Sequence, residues 1–329
     1  MTKTNQQKVK DFLINNGVII VMFILVIYTG FTSDNFFTKN NFMNILMNMS
    51  SRLVIALGIA GCVITAGCEF SAGRMIGFGA CISGMLLQRM DYSGKFFPDM
   101  QPLNVFVVAL IAMLVCAAFG TVTGFFIAYL NVPPFIATLA MMEIVYGIGL
   151  IVTNATPLGG YVEQYTNVSN GKFLGINYLI WIAIIVAVIT WFIFNMTRHG
   201  KYMYAIGGNP QAAEVAGVPV KATLILIYMK AAAMYGLAGF MLGAKAGGAS
   251  VQTGYGYEME AIAACTIGGV SVTGGRGKVS SAIIGVAVFE LLKVALQYLG
   301  MNANAQYIAI GVVIFIAISL DIRKYIARK

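Results

Sequence analysis

"LNVFVVALIAMLVCAAFGTVTGFFIAYL", residues 103–130, runs for 28 residues without an Asp, Glu, Lys or Arg. As an α-helix it would be about 42 Å long, more than the ~30 Å hydrocarbon thickness of a bilayer. It is apolar all round, so it has no polar face to turn toward water. In lipid, a helix satisfies every backbone hydrogen bond within one segment. The run therefore reads as a membrane span, and the rest of the chain repeats the pattern. Further apolar segments lie at roughly 12–31, 44–66, 73–90, 134–153, 176–195, 222–244, 256–272, 279–299 and 303–320. The composition agrees: 59% hydrophobic, 10% charged, mean hydropathy +0.82, where a soluble domain carries about 25% charge. A transmembrane barrel would show short alternating segments instead. The expected fold is all-α: one polytopic bundle over 1–329 with about ten transmembrane helices. The third and eighth segments, "GRMIGFGACISGML" and "YEMEAIAACTIGGVSV", are short and rich in small residues. Such spans are often broken helices that line a path.

Charge tests the count. With ten alternating spans, thirteen lysines and arginines fall on the side of both termini and five on the other. Arg52, Lys230 and Lys293 fall inside spans. The excess marks the cytoplasmic side. Both termini, 196–221 and 272–278 are therefore expected inside, and 91–102 and 154–175 outside. The net charge of +9 follows this flanking pattern, and no basic cluster with interleaved aromatics suggests nucleic acid. "GCEFSAGR" (67–74) and "GVSVTGGR" (269–276) suggest a parallel internal repeat at an offset of 202 residues.

Reactive residues are sparse. The five cysteines make no CxxC pair and read as small buried hydrophobes. His199, the single histidine, reads as a solvated loop residue. No metal site or cofactor is expected, nor is an enzyme. "TGGRGKVSS" (273–281) is not a phosphate loop, because Val272 and Val279 stand where the first glycine and the metal-binding hydroxyl belong. Any ATP hydrolysis must come from another polypeptide.

One polar stretch interrupts the apolar pattern: "AIGGNPQAAEVAGV", residues 205–218. Asn209 is a good N-cap and Pro210 suits the first helical position. Gly217 suits the left-handed position past the end. The helix between them is too short to persist alone in water. It needs a surface, either its own bundle or a cytoplasmic subunit.

Here the residues resemble a family. "QAAEVAG" is similar to the EAA-type loop of ABC importer permeases, with Gln211 in place of the usual glutamate. "AIGGNPQAA" narrows the match to the ribose/galactose/branched-chain branch. "TAGCEFSAGR" (65–74) resembles that branch's glycine-rich signature, with Glu69 for the usual aspartate. "LLQRMDYSGKFFPDM" (86–100), "IAYLNVPPFIATL" (127–139) and "YEMEAIAACTIGGVSVTGG" (257–275) look like the galactose/methyl-galactoside permease group. The resemblance runs from about residue 40 to the C-terminus.

It implies a permease subunit of an ATP-driven importer in the cell (inner) membrane. Its partners would be an ATPase subunit, an extracytoplasmic sugar-binding protein and a second copy of itself. Gly207, Gly208, Asn209, Pro210, Gln211, Ala212, Ala213 and Gly217 would form the coupling loop that docks on the ATPase. Glu69, Ser71, Gly73, Glu143, Gly269, Ser271 and Gly275 are candidates for the translocation path. Glu143 could also bond a neighbouring helix. Glu258 and Glu260 begin the eighth span on the outer side, to meet the binding protein or be solvated. Glu290 and Lys293 are three apart on one helix and can pair. No tight sugar site is expected, because sugar must leave. A self-contained secondary transporter is the alternative, but it needs an ion relay and leaves the coupling-type loop unexplained.

Overall fold

Caps and prolines set where the helices begin. The computed structural model describes residues 20 and 22–326. Its helices are α1 (Met22–Thr32), α2 (Lys39–Ile64), α3 (Ala72–Leu86), α4 (Val105–Tyr129) and α5 (Pro134–Thr153). Then come α6 (Glu163–Asn170), α7 (Tyr178–Met196), α8 (Arg198–Gly208), α9 (Pro210–Val215), α10 (Val220–Ala246), α11 (Tyr257–Gly268), α12 (Val279–Tyr298) and α13 (Ala303–Ile326). The side chains of Thr38, Asn104, Asn177, Thr197 and Asn209 accept backbone N–H bonds at the starts of α2, α4, α7, α8 and α9. Each satisfies a donor that a helix start leaves open.

Every expected apolar segment falls on a helix, although residues 12–19 and 21 of the first lie outside the described residues. Six helices are long and apolar enough to cross a membrane: α2, α4, α5, α7, α10 and α12. α1, α3 and part of α13 are shorter apolar helices, and α11 has only 12 residues. The chain is thus an all-α polytopic bundle, and the third and eighth segments are the short ones.

α2 and α10 form the centre. Leu53 through Ile64 are all buried on α2. α10 lies along α4, α3 and α2. Small residues let these backbones close up. A methyl added to Gly79 of α3 would come within 2.9 Å of Gly236 Cα, and one on Gly124 of α4 within 2.7 Å of Ile225 Cα. The outer faces of α4 and α7 instead expose Phe106, Leu114, Val188 and Phe192, as lipid-facing helices do.

The connections gather at two ends. At one, Gly275 N–H donates to Ile64 O (2.8 Å), Tyr204 Oη to Gly277 O (2.8 Å) and Thr138 Oγ1 to Cys68 O (3.4 Å). At the other, Arg89 N–H donates to Gly160 O (2.8 Å), and Leu158 and Ala249 exchange backbone bonds of 2.8 and 2.9 Å. A hairpin of β1 (Lys172–Phe173) and β2 (Ile176–Asn177) follows α6 beside the second set. This grouping of 197–219 with 269–278, away from 87–104 and 154–177, is the alternation that the charge pattern requires.

The packing gives the chain a different internal correspondence from the offset of 202 residues. α3 packs on α4 and α5 as α11 packs on α12 and α13, and α10 lies on α3 and α4 as α2 lies on α11 and α12. In that scheme 65–71 matches 247–256, not 269–276. α2 runs toward the end from which α10 starts, so the two halves are inverted. The first stretch runs from the end of α2 into the first turn of α3, whereas the second is the turn between α11 and α12.

Candidate functional site

The interrupting stretch forms a helical hairpin, α8 and α9. Asn209 Oδ1 accepts from Ala212 N–H (3.0 Å), and Pro210 opens α9. Its end is closed by two bonds, Gly217 N–H to Glu214 O (2.9 Å) and Val218 N–H to Ala213 O (3.0 Å). Gly217 takes the left-handed conformation, φ +82°, that this closure requires. Of the six α9 residues only Ala213 is buried. Gln211, Ala212 and Glu214 face outward, and Val215 is 92% exposed. The expected coupling residues therefore divide. Ala213 seats the helix on its own bundle, and its neighbours present a surface.

Gly207 and Gly208 divide as well. A methyl on Gly207 would come within 2.6 Å of Gly275 N and closer still to Ile64 O, whereas one on Gly208 meets nothing within 4 Å. Gly207 is thus wedged where the end of α2 meets the 269–278 turn. Gly274 and Gly275 bend beside it with φ of +86° and +72°. Three backbones meet here with no side chain between them: α8, the α2 terminus and the turn before α12. This contact could not be read from spacing, because its members lie far apart in sequence. The paired glycines at 207–208 were the one local sign.

The remaining path candidates fall into separate places. Glu69 is buried and accepts from Ser71 N–H (2.8 Å) and Ser71 Oγ (2.5 Å). Gly73 lies against the Glu258 carboxylate. Gly269 and Gly275 belong to the turn at the α8 junction, where Ser271 Oγ lies 2.9 Å from Thr273 Oγ1. Glu143 sits apart on an exposed face of α5. Arg74 does not flank a span in solvent. It packs over the rings of Tyr146 (3.9 Å) and Tyr255 (4.3 Å) and donates to Gln252 Oε1 (2.7 Å). Without it the tally is twelve against five, with the same sign.

Glu258 and Glu260 are not solvated. Glu258 is 4% exposed. Glu260 binds Arg52 and also Lys293 Nζ (2.8 Å). Burial withdraws both from the surface that a soluble partner would touch. The expected Glu290–Lys293 pair does not form either. Glu290 instead meets Arg52 Nε at 3.0 Å. Arg52, on another helix, offers a planar fork that can serve two carboxylates, and this leaves Lys293 to Glu260. His199 is half-buried in the first turn of α8, not a loop residue. Burial, and then the Lys230 charge, push its pKa down to about 4. Cys62, Cys81, Cys116 and Cys265 are buried and Cys68 is exposed. Among the described residues no three His, Cys, Asp or Glu side chains gather as a metal set.

Comparison with known proteins places this architecture. The chain is 38% identical to the galactose/methyl galactoside import permease protein MglC of Escherichia coli, over all of both chains. It is 40% identical to the Haemophilus influenzae protein of that name, again over all of both. The ribose import permease protein RbsC of Escherichia coli is 31% identical over 96% of each chain. No solved structure matches. The model for the branched-chain amino acid transport system / permease component family matches residues 41–318, and the chain belongs to that family.

Proposed function

We propose that the chain is the membrane-spanning permease subunit of an ATP-driven importer of the inner membrane. Two copies form the pore, and both termini are cytoplasmic. About ten helices cross the bilayer, the short α3 and α11 among them. A separate ATPase subunit docks on α9, and an extracytoplasmic binding protein delivers a monosaccharide of the galactose type. The names of the relatives support the sugar. The observation that carries the mechanism is the α8–α9 hairpin. It exposes Gln211, Ala212, Glu214 and Val215 on one side, and on the other it touches the turns at the ends of α2 and before α12. A push on α9 is thereby passed into the membrane-spanning helices through main chain. Main-chain contacts are stiff, so little of the displacement is lost. The secondary-transporter alternative gains nothing from the acids, since Glu260 and Glu290 are each paired with fixed cations.

The test is Val215→Asp. It changes only an exposed residue, so the variant should insert in the membrane and melt as the wild type does. It should lose ATPase association and galactose uptake, while the binding protein keeps its affinity for sugar. Normal ATPase capture with normal uptake would rule out α9 as the docking helix.

A further inference from the structure

Away from the hairpin, a cavity of about 660 Å³ opens between α2, α11, α12 and α13. That is the size of a small-molecule pocket, typically about 300–1,000 Å³. Arg52, Glu260, Glu290 and Lys293 all border it. Buried charges at membrane depth are costly and mark solute paths more often than scaffolding. A purely structural network would be expected to close tightly around its charges, since desolvation has to be repaid by close contacts. Here the network lies beside open space instead.

The pattern of charge restricts what fits. Within the paired network two cations and two carboxylates cancel, so it offers a charged solute no net attraction. Both kinds of group are present on one wall, so a ligand that donates and accepts at every position matches it best. Sugar hydroxyls do both. Glu258 also borders the cavity, but its Oε2 is buried against Gly73 of α3 and does not face the open space. At the rim stand the exposed ring of Tyr307 and the exposed amide of Gln297. An aromatic face beside planar polar groups suits a pyranose, which has an apolar ring face and a polar edge.

The geometry points to a monosaccharide subsite within the permease itself, in the half of the bundle opposite the α8–α9 hairpin. The inference rests on the reading of the chain as a sugar permease and adds a place where the sugar halts. The subsite is weak by construction. Arg52 already serves two carboxylates and Lys293 serves one, so a hydroxyl must compete with bonds already made. A weak site can check the identity of its ligand and still release it.

The test uses the permease alone in membrane vesicles. Cys68, the exposed cysteine, is replaced, and Gln297→Cys is introduced at the rim. A hydrophilic maleimide then reports access. D-galactose should slow labelling severalfold, and isosmotic KCl should not. In the assembled transporter, Tyr307→Ala with Gln297→Ala should cut galactose uptake severalfold without changing the binding protein's affinity or ATPase docking. Both residues are exposed, so folding is not at issue. Labelling unaffected by galactose, or wild-type uptake by the double variant, would overturn the subsite. The labelling arm needs no partner subunit. Failure of the assembled wild type to move galactose would count against the proposed function and leave that arm decisive.

Discussion

Gly207→Ala and Gly208→Ala form a matched pair, one methyl each at adjacent positions near the end of the same helix. At Gly207 the methyl would lie within 2.6 Å of Gly275 N and closer to Ile64 O. These neighbours are backbone and cannot swing aside. Overpacking of a close-packed site costs about 1–3 kcal/mol. Forcing apart the 2.8 Å bond between Gly275 N–H and Ile64 O adds about 0.5–1.5 kcal/mol. Against this, Ala is the better helix former by about 0.5–1 kcal/mol. The balance is a loss of about 0.5–4 kcal/mol. At Gly208 there is nothing within 4 Å to strike, so only the small helical gain remains. Thermal melting in detergent, ATPase pull-down and uptake in proteoliposomes separate the two. Gly207→Ala should melt lower and transport poorly while still binding the ATPase, because the exposed face of α9 is untouched. Gly208→Ala should match the wild type or melt slightly higher. Equal melting and equal transport by both variants would refute the idea that α8 bears on the turns through Gly207.

Gly217→Val should weaken the α9 end by about 1–2 kcal/mol, the cost of a left-handed conformation for an L-residue, and reduce ATPase capture; an unchanged pull-down would argue against a fixed helix end. Arg52→Met should leave Glu260 and Glu290 short of a buried partner at a cost of about 3–5 kcal/mol, and Arg52→Met/Glu290→Met should recover part of it; melting temperatures and membrane abundance would show this. His199 has its folded pKa lowered to about 4 from 6.5, so the unfolded chain binds the extra proton first as pH falls. Stability should therefore decline from about pH 6.5 toward pH 4 and level off below, and the melting profile of His199→Gln should be flatter over that window.

The spans were legible because lipid imposes a single demand, continuous apolar length, and 134–153 matches α5 residue for residue. The α9 boundaries were legible for a local reason. Asn209, Pro210 and Gly217 each act within four residues of themselves. Sites that depend on tertiary packing were not legible. Glu290 and Lys293 have the spacing of a pair, yet Arg52 on α2 offers better geometry to Glu290. Glu258 and Glu260 lie at a helix start, a position that on sequence suggests solvent. The short α11 begins inside the bundle, because 251–254 packs against Gly73 and Gly77 of α3. The packing correspondence between the halves was not legible, because it depends on contacts between helices far apart in sequence.

The Arg52 cluster also constrains how the chain is made. Glu260 follows Arg52 by 208 residues, and Glu290 follows later still. At about 5–20 residues per second, synthesis takes roughly 10–40 s to cover that distance. Throughout that interval a guanidinium stands within α2 with neither carboxylate yet in existence, at an insertion cost of about 2.5–3.5 kcal/mol. The first half of the bundle is therefore a provisional structure during translation. Its guanidinium meets neither acid until the second half of the chain delivers them.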